Sequence, residues 1–99
     1  MNQANDGLTP LSPLTNAEIR AHKAAAQRLK AMLKVGRQGL SSGFVQSVDD
    51  ALRHHRLVKV KFDEFKEQRK ALAPELAAKT GSHLITLVGN VAVLFRPAG

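Results

Sequence analysis

Lys34-Val35-Gly36-Arg37-Gln38-Gly39-Leu40-Ser41 reads as the end of a strand, a tight loop framed by two glycines, and the start of a helix. Glycine tolerates positive φ and lets another molecule come close to the backbone. A loop that opens a helix also aims unpaired N–H groups and the positive end of the helix dipole outward. Arg37 inside the loop and Lys34 before it add full charges to those partial ones. The combination suits a phosphate, and a phosphate backbone in particular.

Downstream of the loop, Ser41 stands as an N-cap with Leu40 and Val45 as a hydrophobic staple. Phe44, Val45, Val48 and Leu52 then recur at helical spacing to about His55. Asp49 and Asp50 are expected on the solvated side of that helix. Upstream, Thr15 and Glu18 form a capping box and Leu14 and Ile19 a staple. The pattern predicts a helix from Asn16 to about Lys30, burying Ile19, Ala26 and Leu29 and turning Arg20, Lys23, Gln27 and Lys30 outward. Ala31 to Val35 is short, apolar and β-capable, and predicts the first strand.

Leu57-Val58-Lys59-Val60-Lys61-Phe62 alternates with period two, so Val58, Val60 and Phe62 face a core while Lys59 and Lys61 project from the other face. Asp63 is placed to cap a third helix with Phe65, Leu72, Leu76 and Ala77 inward, ending at Gly81. Pro74 inside it either kinks that helix or delays its start. His83 to Val88 and Val91 to Arg96 are two strands joined by a tight turn at Gly89-Asn90. All four aromatic residues are Phe, and core positions are expected for each. Met1 to Pro13, rich in polar residues, Gly and Pro, is expected to be a flexible tail. The order helix, strand, helix, strand, helix, strand, strand implies one α/β or α+β domain over 14–97, a small sheet covered by helices.

Charge narrows the functional classes. Fifteen Lys and Arg against eight acids give a net +7 and a pI near 10.4, which points to a polyanionic partner, nucleic acid before membrane. The basic residues are segregated: six between Arg20 and Arg37 and four between Arg53 and Lys61, with no acid in either stretch. No cysteine is present, which removes disulfides and thiolate metal sites. No apolar run is long enough to span a bilayer and no secretory leader is recognisable, so a cytoplasmic protein without membrane association is expected.

Three segments together carry a family resemblance: Gly36-Arg37-Gln38-Gly39-Leu40-Ser41, Leu57-Val58-Lys59-Val60-Lys61, and Val88-Gly89 through Val93-Leu94-Phe95-Arg96-Pro97. In that order and spacing they resemble the CRM domain (chloroplast RNA splicing and ribosome maturation) in its stand-alone bacterial YhbY-type form, over about Leu14 to Pro97. The resemblance implies a two-layer domain with a mixed four-stranded sheet, similar to the C-terminal domain of translation initiation factor three. It also implies RNA binding through the glycine loop and association with precursors of the large ribosomal subunit. The loop is similar to that of KH domains, although there it joins two helices. Phe95 stands where the family often has tyrosine.

Competing chemistry is weak. Gly39-Leu40-Ser41-Ser42-Gly43 matches G-x-S-x-G, and Asp63 and His83 follow in the hydrolase order, but that fold needs a large sheet around the elbow. As a cap, Ser41 is already accounted for. His22, His54, His55 and His83 lack metal-ligand spacing, so no metal and no cofactor are expected. With no Tyr or Trp, no base-stacking platform is evident, so recognition should rest on phosphates and RNA shape. The expectation is a monomeric, non-enzymatic RNA-binding protein acting on rRNA of large-subunit precursors. In it Gly36, Arg37, Gln38 and Gly39 meet phosphate, Lys34, Lys59 and Lys61 extend the field, and Arg20, Lys23 and Lys30 contribute from outside. The alternatives are an RNA chaperone or splicing-type factor for structured RNA, a DNA-binding module, and a small serine hydrolase using Ser41.

Overall fold

A capping box opens the ordered chain. In the computed structural model, which describes residues 12–97, Thr15 N–H donates to Glu18 Oε1 at 2.8 Å and Glu18 N–H donates to Thr15 Oγ1 at 3.1 Å. The tail read at 1–13 falls outside the described residues except for Ser12 and Pro13. The elements are α1 (Asn16–Ala26), β1 (Leu33–Val35), α2 (Ser42–His55), β2 (Leu57–Phe62), a 3-10 turn (Lys66–Gln68), α3 (Arg69–Lys79), β3 (His83–Val88) and β4 (Val91–Phe95). They form an α+β fold around one mixed four-stranded sheet in the order β1-β2-β4-β3. The β1–β2 pair is parallel; β4 is antiparallel to both β2 and β3.

Alternation along β2 divides the molecule. Val58, Val60 and Phe62, with Val35, Ala92 and Leu94, face Val48 and Leu52 of α2 and Ala73, Leu76 and Ala77 of α3. The sheet and the α2–α3 layer make the two expected layers, and α1 adds a partial third on the other face of the sheet. Phe62 is the largest fully buried side chain, and Phe62→Ala would cost about 3–5 kcal/mol. On the opposite face α1 covers only part of the sheet, packing Ile19 and Ala26 with Leu14 against Leu57, Ile85, Val93 and Phe95. The His22 ring stacks on Phe95 with centroids 3.9 Å apart.

Several local expectations need correction. The first helix stops at Ala26, not Lys30, because the chain must straighten to reach β1 at the sheet edge. Gln27, Arg28 and Leu29 tighten into i→i+3 bonds, and Met32 N–H already donates to Lys59 O. The first strand is correspondingly Leu33–Val35. Asp63 caps nothing: the backbone N–H groups of Asp63 and Glu64 both donate to Val35 O, tying the chain after β2 to the end of β1. The third helix therefore begins only at Arg69, without a side-chain cap, and Pro74 lies inside it on the exposed side. Water can there satisfy the Lys70 carbonyl that a proline nitrogen cannot. The helix closes as a Schellman motif, with Gly81 at φ 59°, Gly81 N–H donating to Ala78 O and Ser82 N–H to Ala77 O.

Candidate nucleic-acid interface

The glycine loop follows β1 as a tight turn, Gly39 N–H donating to Gly36 O at 3.0 Å. Gly36, Arg37 and Gln38 are exposed, and a Cβ on Gly36 would meet nothing within 4 Å. Gly39 differs. It is buried, has φ 61°, and a Cβ there would lie 3.3 Å from the Phe65 ring. Phe65 is thus not a core residue of the third helix but a half-exposed ring at φ 57°, turned onto the loop by the 63–64 tether to Val35. The two glycines separate in role: Gly36 leaves backbone open, whereas Gly39 makes the turn and gives Phe65 room.

Beyond the loop, Ser41 caps α2, its Oγ accepting from Phe44 N–H at 3.2 Å. The N–H groups of Ser42 and Gly43 have no acceptor within the helix. Both residues are exposed, and the first turn carries no acid. The dipole end of a fourteen-residue helix therefore opens beside Arg37.

Parallel register places Lys34 opposite Lys61, and both side chains rise from the face shared with α1. Lys61 Nζ lies 3.9 Å from Asp63 Oδ1, an exposed pair that water and salt weaken, so its charge still contributes outward. Lys59, two residues along the same face, is half-buried, its Nζ donating to Leu29 O at 3.0 Å. It is better fixed than a free surface lysine, with N–H bonds to spare. Of the helical contributors, Arg20 and Lys23 are exposed on α1, and Lys23 shares a groove with Lys59. Lys30 is exposed too, but in the connection after α1 rather than on the helix.

The chain's basic residues are not all available. Asp49, expected on a solvated face, is only part-exposed and binds Arg96: Arg96 Nη1 donates to Asp49 Oδ1 at 2.6 Å and to Thr80 O at 2.8 Å, and Nη2 to Asp49 O at 3.0 Å. Arg53 pairs with the other oxygen of Asp49 at 2.8 Å. The hydrogen bond from Arg96 holds the Asp49 carboxyl below its usual pKa, the nearby Arg96 and Arg53 charges adding to it and partial burial opposing it. No sequence spacing announces this clamp, since its partners are 47 residues apart.

The serine-hydrolase pattern is not brought together. Ser41 follows β1 at the loop end of the sheet, whereas His83 pairs with Phe95 at the opposite end, about 16 Å further along the strands at the usual rise per residue and on the opposite sheet edge. Among the described residues no group of three His, Cys, Asp or Glu could hold a metal ion, and no helix is long and apolar enough to cross a membrane.

Comparison with known proteins finds relatives named for RNA binding. A Pseudomonas aeruginosa protein named as a probable RNA-binding protein is 33% identical over 84 residues, covering 84% of this chain and 81% of that one. An RNA-binding protein of Haemophilus influenzae is 26% identical, covering 89% and 90%. The solution structure of a hypothetical Staphylococcus aureus protein, a candidate RNA-binding protein, matches with a TM-score of 0.74 and 26% identity over 88% of this chain and 92% of that one. The model of the CRS1 / YhbY (CRM) domain matches residues 14–96. With that match spanning the whole sheet and all three helices, the chain belongs to the CRS1/YhbY (CRM) domain family.

Proposed function

We propose that this chain is a non-enzymatic RNA-binding protein that acts on rRNA in precursors of the large ribosomal subunit. The observation that carries the reading is the exposed Gly36-Arg37-Gln38 turn beside the open N-terminus of α2, flanked by the Lys34–Lys61 pair. Backbone N–H groups and a helix dipole open beside Arg37 without an acid in the loop or the first turn, while Lys34 and Lys61 add charge from the α1 face of the same sheet edge, Lys61 in an exposed pair with Asp63. Such a surface takes phosphates of a folded RNA, which position the protein without reading sequence. The names of the relatives and the CRM family match support RNA as the partner. The ribosomal assignment rests on the family resemblance.

Arg37→Glu combined with Gly36→Asp tests the reading. Both positions are exposed and Gly36 has room for a side chain, so the variant should fold. In cell extracts the wild-type protein should sediment with incomplete large subunits and be scarce on translating ribosomes, while the variant should move to the top of the gradient. If the wild-type protein instead follows other RNAs, the chaperone or splicing-type alternative takes precedence. If the variant stays with the precursors, another face holds the RNA.

A further inference from the structure

A second feature lies on the α1 side of the sheet, at the same end as the glycine loop. Because α1 stops at Ala26, the sheet beyond it is left uncovered by the described residues. A bulge in β3 places Ile85 and Thr86 both on this side: Leu84 pairs with Leu94 and Thr86 already with Val93. The result is a groove of about 380 Å³ with Val88, Val91 and Val93 as its floor, Lys23 and Gln27 along the helix edge, and Lys59 on the third side. That volume falls within the range of about 300–1,000 Å³ of small-molecule sites. Lys59 is held in place by its bond to Leu29 O, and among the described residues no acid lines the groove.

We infer that this groove receives one unstacked nucleobase of the bound RNA, with Lys23 and Lys59 holding the adjoining phosphates. An apolar floor with a cationic rim fits a planar base attached to a phosphodiester: the base loses water against the valines while the charges stay at the mouth. The Gln27 amide, beside the floor, can both donate and accept at a base edge. Continuity supports RNA as occupant. From the groove the basic residues run on through Lys59 to Lys61 and Lys34, and Lys34 leads through Val35 into the loop. One strand could thus cross from the loop to the groove along the β1–β2 half of the sheet. This gives the protein a means of recognition besides phosphate contacts without any Tyr or Trp. The inference rests on the RNA-binding reading above.

The test uses a blunt RNA duplex with one unpaired nucleotide, made with A, C, G or U at that position and with an abasic residue that keeps the phosphates. The protein should bind at least one base-bearing duplex about tenfold more tightly than the abasic one, the scale of roughly 55 Å² of apolar surface removed from water. Val88→Ser should abolish that difference while leaving the salt dependence unchanged. Val88 is 68% exposed, so the substitution should not disturb folding, and it alters no charge. Equal binding of all five duplexes by the wild-type protein would overturn the groove but leave the phosphate-binding loop standing. Retention of the difference in Val88→Ser would also overturn it, as would a Val88-dependent change in the sedimentation of RNA-free protein, which would mean a second copy covers the groove. Failure to bind any of the duplexes would remove the RNA-binding reading and the groove with it.

Discussion

Arg96 Nη1 stands 2.6 Å from Asp49 Oδ1, joining the residue after the last strand to the middle of α2 across 47 positions of chain. The same guanidinium donates to the carbonyl of Thr80 beyond α3, while its backbone N–H donates to Arg56 O. One side chain thus ties together both helices of the main layer and the edge of the hairpin. A cation in a family sequence segment is here a structural tether.

Arg96→Met should therefore destabilise the fold by about 2–3 kcal/mol, since a part-buried carboxylate and a carbonyl lose charge-assisted donors. Urea unfolding should show a lower midpoint. RNA affinity of the folded fraction should stay near the wild-type value. A loss of affinity without a loss of stability would reassign Arg96 to the interface.

Acid should expose the same clamp. The Asp49 pKa is lowered in the folded chain by the Arg96 hydrogen bond, so its contribution is complete above the unfolded value, about 3.9, and is lost as pH falls through the folded value. Melting temperatures of wild type and Asp49→Asn should differ near neutral pH and converge below about pH 4. Glu18 is lowered too, by its hydrogen bonds with Thr15, but it is present in both proteins and cancels in the comparison. A gap that widened on acidification would contradict the assignment.

The two loop glycines should separate experimentally. Gly39→Ala should cost about 1 kcal/mol or more, because φ 61° disfavours a side chain and the Phe65 ring stands 3.3 Å from the new Cβ. Gly36→Ala should leave stability nearly unchanged. In RNA binding the order reverses: Gly36→Asp should weaken a structured RNA strongly in a protein whose circular dichroism is unaltered. Should Gly36→Asp bind normally, the open backbone at this position is not a contact.

Binding should depend steeply on salt, with the logarithm of the association constant falling by about 0.7–0.9 per neutralised phosphate for each unit of log salt. Lys34→Gln with Lys61→Gln should reduce that slope by about 1.5 if each lysine meets one phosphate. These two are better probes than Lys59, whose bond to Leu29 O gives it a structural share as well. An unchanged slope would place the RNA elsewhere.

Local signals carried a large part of this protein in its sequence. The capping residues Thr15 and Ser41, the period-two run from Leu57 to Phe62, and the Gly89-Asn90 turn each act over a few residues, and each forms as its pattern implies. The exposure of Arg37 and the common face of Lys34 and Lys61 likewise follow from a loop and from strand alternation. What the sequence could not settle lies where distant segments compete for the same groups. Asp63 and Glu64 give their N–H groups to Val35 instead of starting a helix, and Phe65 takes a left-handed backbone that no propensity favours, to cover Gly39. Asp49 leaves the solvated face because Arg96 arrives from the far end of the chain. The groove exists because α1 must end early for the chain to reach the sheet edge. Hydrogen bonds between neighbours in sequence are fixed by spacing. Those between segments brought together by the sheet are fixed only once the sheet has formed.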